Sequence, residues 1–260
     1  YRGTPQIYVD LLKAAYEETK ATNPGATVVG IDTYPPMWDM ATLAMGAYPY
    51  YDTMSWHRYD PNLHGRPNDA LARVTERLRA EQAKYGEPKP TLSTEGGPDV
   101  TLFHGSFFSF ADPQVVGDWS EGADRYARMF LGMIASGNRR FITYSVHNDT
   151  RHGWSTHMMV EPQYLIRPMH VALSAMANFV DGAKYEGRLV PAEDISAHVF
   201  SQPHGRPWGK GPSVVVVLIA DGPDPEALPV PLPEIVSCFD RWGNSIAAPT
   251  QATRSPAYLT

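Results

Sequence analysis

The sequence predicts an α/β protein built as half of a (β/α)8 TIM barrel and followed by a small β-sandwich. Three observations predict it. Helical and strand-like segments alternate up to about residue 181, the pattern of a parallel sheet covered by helices. Polar and aromatic residues collect after each strand run: Asp32 and Tyr34, then His57 to Asp60, then Glu95, then Tyr144, His147 and Asn148. Barrel active sites are assembled at the carboxyl ends of the strands, so four such clusters read as half a barrel. From Gly182 onward the texture changes to short strand-like runs separated by Gly, Pro and Asp. The expected division is therefore residues 1–181 and residues 182–260.

Each element has its own signal. In TPQIYVDLLKAAYEETKATNPG, Thr4 caps, Pro5 suits the first turn, and Asn23-Pro24-Gly25 ends the helix. Ile7, Leu11, Leu12, Ala15 and Tyr16 are expected to form its apolar face. ATVVGID is a short apolar run, as in a strand buried on both faces. MWDMATLAMGAY carries a weak helical pattern, and YDTMSWHRYD reads as the next strand. RPNDALARVTERLRAEQAKYG is strongly amphipathic, with Asn68 expected as its cap and Gly86 as its terminator. PTLSTEGG (strand), a long aromatic loop, EGADRYARMFLGMIASG (helix), RRFITYSVHN (strand), a second aromatic loop and YLIRPMHVALSAMANFVDG (helix) complete the series. The later strands are expected in AKYEGRLV, ISAHVFSQ, SVVVVLIAD, EIVSCFDRWGN and SPAYLT. DGPDPEALPVPLPE reads as a turn-rich connection.

Composition narrows the function classes. Hydrophobic residues make up 43% of the 260 and charged residues 19%, which suits a globular protein with a substantial core. A formal charge of −6 disfavours nucleic acid as the main partner, because phosphate binding needs a basic surface. No apolar run approaches the ~20 residues of a membrane span, and no membrane partner is expected. The single cysteine, Cys238, excludes an intramolecular disulfide and reads as a small buried hydrophobe. The absence of GxGxxG and of a phosphate loop weakens a nucleotide-binding doubly wound sheet, and the absence of GxSxG leaves a serine hydrolase unsupported. His147, His152 and His157 follow no metal-ligand spacing, so neither a metal nor a cofactor is expected.

Glu95 is the principal candidate for chemistry. It follows the strand run Thr91 to Thr94, and Gly96-Gly97 allow a sharp turn and leave room for a ligand. A solvated loop acid is the default reading of such a glutamate. The preceding strand argues otherwise, since Ser55, His57 and Tyr59 share one face by the period of two. On an adjacent strand, an imidazole and a phenol hydroxyl would orient the Glu95 carboxylate and keep it ionised, as a nucleophile requires. Trp154 and Tyr144 are candidates for a stacking wall against a sugar, with burial in a core as the competing explanation. Asp32 and Asn148 are candidate hydrogen-bonding groups for sugar hydroxyls, although Asp32 equally suits a turn before Tyr34-Pro35-Pro36.

These residues carry a resemblance. From Tyr8 onward the chain resembles the C-terminal half of a clan A retaining glycoside hydrolase, of the β-xylosidase and α-iduronidase type. The matching stretches are ATNPGATVVGID, SWHRYD, LSTEGG and the closing FDRWGN and SPAYLT. The resemblance implies that the chain supplies about strands five to eight of the barrel. It implies that Glu95, ending the seventh strand, is the nucleophile, and that His57 and Tyr59 of the sixth strand contact it or the sugar. Trp154 or Tyr144 would floor the sugar subsite. The clan's acid/base is a glutamate in an Asn-Glu pair ending the fourth strand, and no Asn-Glu pair occurs here; Glu161-Pro162 reads as a loop. The resemblance therefore implies that the N-terminal half of the barrel comes from a separate chain or a removed segment. A carbohydrate substrate and export to a secreted or periplasmic location are expected, without any signal in these residues. The competing function is a non-catalytic carbohydrate-binding protein on a degenerate barrel.

Overall fold

A computed structural model of the chain describes residues 3–33, 37–60, 67–98, 119–144, 166–192, 195–202, 213–220, 226–227, 237–253 and 255–260. It divides into two compact units: residues 1–59, 70–96 and 136–143 form one, and residues 60–69, 97–135 and 144–260 the other.

The first unit carries a four-stranded sheet whose spatial order follows the sequence: β1 (Val29–Thr33), β2 (Thr53–Asp60), β3 (Thr91–Pro98) and β4 (Asn138–Phe141). β1 runs parallel to β2, and β3 to β4, as helical crossovers between neighbouring strands require. Helix α1 (Pro5–Thr22) starts as expected, with Thr4 accepting from the Ile7 amide and proline at the first turn. Its buried stripe differs from the expected one. Val9 and Leu12 are buried, whereas Ile7 and Leu11 are 49% and 59% exposed. The two tyrosines set the rotation, because each hydroxyl has a partner on the sheet side: Tyr8 at the Ile31 amide, 2.8 Å, and Tyr16 at Asp52, 3.4 Å. Leu12 lies so close to β1 that a Cβ on Gly30 would stand 3.1 Å from it and 2.9 Å from Tyr51 Cβ. Only glycine fits there.

The stretch expected to be weakly helical forms α2 (Met37–Ala44) and a short 3-10 turn at Tyr48–Tyr50. Helix α3 (Pro67–Gln82) begins at its proline, so Asn68 lies inside the first turn and not at the expected cap position; proline is favoured at the first helical position. Leu71, Thr75, Leu78 and Gln82 form its buried stripe. The Gly86 amide closes the end of the helix on the Gln82 carbonyl at 3.2 Å. The Lys89 ammonium donates to the carbonyls of Tyr48 and Tyr51 and sits 4.4 Å from the centre of each ring. These contacts tie the start of β3 to the start of β2. β4 is shorter than the RRFITYSVHN run suggested, ending at Phe141.

The second unit holds α4 (Trp119–Ala135), α5 (Pro168–Val180) and an antiparallel region. Its strands are β5 (Lys184–Ala192), β6 (Ile195–Gln202), β7 (Ser213–Ala220), β8 (Glu226–Ala227), β9 (Cys238–Phe239), β10 (Ser245–Ile246), β11 (Gln251–Ala252) and β12 (Ala257–Leu259). Six of them form a sheet in the order β10-β9-β12-β7-β6-β5, and β11 pairs with β8. The run SVVVVLIA serves two faces at once by strict alternation. Val215, Val217 and Ile219 pack with Phe200, Tyr258, Phe179, Met176 and Leu131, so α4 and α5 cover that face. Leu218 and Ala220 pack on the other face with Ile195, Ala197, Cys238, Ala252 and Leu259. β8, β10 and β11 are too short to have a sequence signal. In FDRWGN, only Cys238–Phe239 precedes as strand, and Asp240 then accepts from the amides of Trp242 and Asn244 to make a tight turn. Arg241 reaches from that turn to Asp124 and the Ser120 carbonyl of α4 and to Ser255. Among the described residues no helix is long and apolar enough to cross a membrane.

Candidate active site

The site is built on the two inner strands of the parallel sheet. On β2, the indole N–H of buried Trp56 donates to Asn138 Oδ1 at 3.0 Å, and Asn138 Nδ2 donates to Thr75 of α3 at 3.2 Å. This chain carries the Trp56 ring towards α3. One residue on, the strand alternation turns His57 to the opposite face. On β3, Glu95 stands inside the strand, which runs on to Pro98. The expected strand end at Glu95 and sharp turn at Gly96-Gly97 are therefore not found, because both glycines continue the strand.

His57 and Glu95 meet. Nδ1 of His57 lies 3.7 Å from Oε2 of Glu95, with the side chains 20% and 31% exposed. This is the distance of an ion pair when the imidazole is protonated, and is longer than a direct hydrogen bond. Partial burial keeps solvent screening low while leaving the carboxylate open to a ligand. Beneath it, the hydroxyl of fully buried Ser93 donates to the Glu95 carbonyl at 3.0 Å and fixes the main chain that carries the carboxylate. Sequence reasoning missed both Ser93 and the Trp56–Asn138–Thr75 chain. Ser93 had a visible signal, being two residues before Glu95 on its face; the second chain joins residues up to 82 positions apart and had none.

Asp32 lies on β1 and Tyr59 on β2, with their side chains outside the described set. Tyr144 follows β4 in a bend, belongs to the second unit and is partly exposed. Asn148 and Trp154 lie outside the described residues, as do His147, His152, His157, Glu161 and the aromatic loop 101–118. Among the described residues no three His, Cys, Asp or Glu side chains converge as metal ligands.

No family model and no curated protein matches this chain. Solved structures do match its fold. A family 39 glycoside hydrolase from the gut symbiont Bacteroides cellulosilyticus WH2 superposes with a TM-score of 0.68 at 15% identity, over 97% of this chain and 54% of its own. An alpha-L-arabinofuranosidase from Thermotoga maritima gives 0.65 at 11% identity, covering 99% of this chain and 62% of its own. A family 30 subfamily 8 xylanase from Clostridium acetobutylicum gives 0.58 at 13%, over 99% and 60%. These neighbours are clan A glycoside hydrolases with TIM barrels, and the likeness at such identities is one of fold. The chain spans a little over half the length of each.

Proposed function

We propose that this chain is the nucleophile-bearing part of a retaining glycoside hydrolase. The observation that carries the reading is the His57–Glu95 pair, a half-buried carboxylate 3.7 Å from an imidazole on the inner strands of a parallel sheet. Glu95 attacks the anomeric carbon of a sugar, the glycosidic oxygen leaves with a proton from a second carboxyl group, and a glycosyl-enzyme forms. Water, deprotonated by that second carboxylate, then releases the sugar with its anomeric configuration retained. The two groups must titrate apart, one ionised to attack and the other protonated to donate.

The acid/base carboxyl comes from polypeptide outside residues 1–260, which also supplies the remaining barrel strands. Two facts support this: no Asn-Glu pair occurs in the sequence, and the matched structures extend well beyond the part this chain covers. In this reading residues 1–181 are the C-terminal half of the barrel and residues 182–260 an accessory β-sandwich. Asp32, Tyr59, Tyr144, Asn148 and Trp154 join His57 in binding the sugar, and the chemistry needs no cofactor.

A screen on aryl glycosides, with the completing polypeptide present, tests the proposal. Glu95→Gln is expected to cut turnover by more than about a thousandfold, since it removes the attacking group. Equal turnover in both proteins rejects the nucleophile assignment. Sugar binding by both proteins with turnover in neither selects the binding-only reading.

A further inference from the structure

His57 and Glu95 stand on different strands, β2 and β3, so their 3.7 Å spacing depends on how each strand is held. The β2 side is anchored from behind. The buried Trp56 indole donates to Asn138 on β4, which lies beyond β3 in the sheet, and Asn138 donates in turn to Thr75 of α3. The Thr75 hydroxyl closes this chain on the Leu71 carbonyl at 3.0 Å. β2 is thereby tied to a second strand and to a helix at the residue next to His57.

The β3 side is held differently. β4 ends at Phe141, whereas β3 runs on through Glu95 to Pro98. The register between them also slips just before this point. Thr91 pairs with Asn138 and Ser93 with Phe141, so β4 advances three residues while β3 advances two. The Ile142 amide then donates to the Ser93 carbonyl at 2.9 Å. Ser93 thus stands at the irregular margin of the ladder, with Glu95 two residues further along. Its side chain is fully buried, where a hydroxyl without an acceptor is costly, and it donates to the Glu95 carbonyl at 3.0 Å. That carbonyl is bonded to the Cα that bears the carboxylate side chain, so holding the one restricts the other.

We infer that Ser93 is a positioning residue for the nucleophile. Its hydroxyl holds the Glu95 main chain where β3 outruns β4, and so keeps the carboxylate beside His57 and in reach of an anomeric carbon. This rests on the glycosidase reading above. Ser93 acts through Glu95 and takes no part in making or breaking bonds. The leverage is large, because misplacing a reacting group by about 1 Å can cost about a hundredfold in rate.

The test compares Ser93→Ala in two backgrounds, each with the completing polypeptide and an aryl glycoside. With Glu95 in place, Ser93→Ala is expected to lower kcat and kcat/KM together, on the order of ten- to a hundredfold, with KM little changed. In the second background Glu95→Ala removes the carboxylate, and added azide attacks the anomeric carbon in its place. The aryl oxygen leaves with the proton of the second carboxyl group, and a glycosyl azide of inverted configuration is released. Here Ser93→Ala should change the azide-dependent rate by less than about twofold, because the group it positions is gone. Losses of equal size in both backgrounds make the hydroxyl a general support of the strand and overturn the inference. An unchanged kcat in the first background overturns it too, and either result leaves the glycosidase reading standing. Full turnover by Glu95→Ala without azide removes that reading and the inference with it.

Discussion

At the scale of single residues, His198 shows how burial becomes pH dependence. It lies fully buried on β6, shares a 3.1 Å hydrogen bond between its Nδ1 and the Tyr185 hydroxyl, and pairs across the ladder with Arg188. Burial first, and the Arg188 charge second, push its pKa down from 6.5 to about 4. The folded state therefore holds this histidine neutral while the unfolded chain protonates it below its ordinary value. Its contribution is fully present above about pH 6.5 and is lost as the pH falls from there to about 4, by up to about 3 kcal/mol. Denaturant titrations between pH 7 and 4 should show that loss, and His198→Gln should flatten the slope across this window. An unchanged slope in the variant would assign the acid sensitivity elsewhere. Glu186 acts in the same direction, since its hydrogen bonds to Lys184 and Ser201 lower its carboxyl pKa and that support is lost on acidification, but at an exposed position screening leaves little net effect.

At the scale of elements, the spacing between a strand and its covering helix decides which glycines are replaceable. Gly97, two residues after Glu95, has Tyr126 of α4 against it: an added Cβ would stand 2.8 Å from the phenol oxygen and 3.4 Å from the ring carbon bearing it. Tyr126 is fully buried, so it has little freedom to retreat. Gly97→Ala should cost about 1–3 kcal/mol through overpacking. Tyr126→Phe removes the nearer atom, so the alanine penalty measured by urea unfolding should shrink in that background. A penalty of equal size in both backgrounds would place its origin in the backbone and not in the tyrosine. Arg241 works at the same scale, joining a turn of the antiparallel region to the first turns of α4. Burial raises the pKa of Asp124 there, and the guanidinium and Ser255 hydrogen bonds oppose that rise. The FDRWGN stretch thus has a local structural purpose, whatever its value as a likeness.

At the scale of the whole molecule, α1 carries an apolar stripe, Ile7 and Leu11, that is exposed among the described residues, on the helix that packs on β1 at one edge of the parallel sheet. In the proposed assembly this edge meets the polypeptide that supplies the other barrel strands. Ile7→Glu with Leu11→Glu should leave the melting temperature of this chain nearly unchanged, since exposed substitutions cost within about 0.5 kcal/mol each. The same change should abolish recovery of turnover on mixing with the completing polypeptide. Full recovery by the variant would put the contact somewhere else.

The helices of the parallel part were legible in the sequence because each has a period, a cap or a breaker of its own: Thr4-Pro5 before α1, the 71, 75, 78, 82 stripe of α3 and Gly86 after it. Glu95 could be singled out because it follows a strand run and precedes two glycines, and His57 because it shares a strand face with Ser55 and Tyr59. The sequence could not say which face α1 buries, where β4 stops, or that α4 and α5 lie on the antiparallel sheet. Those depend on which partner each side chain finds. The 3.7 Å meeting of His57 with Glu95, the Trp56–Asn138–Thr75 chain and the Tyr8 clasp on Ile31 are likewise products of tertiary structure alone. Local patterning determines what a segment can become. Only the packed molecule brings residues 23 to 82 positions apart within reach of a hydrogen bond, because the energy that selects among registers is shared across strands and belongs to no single one of them.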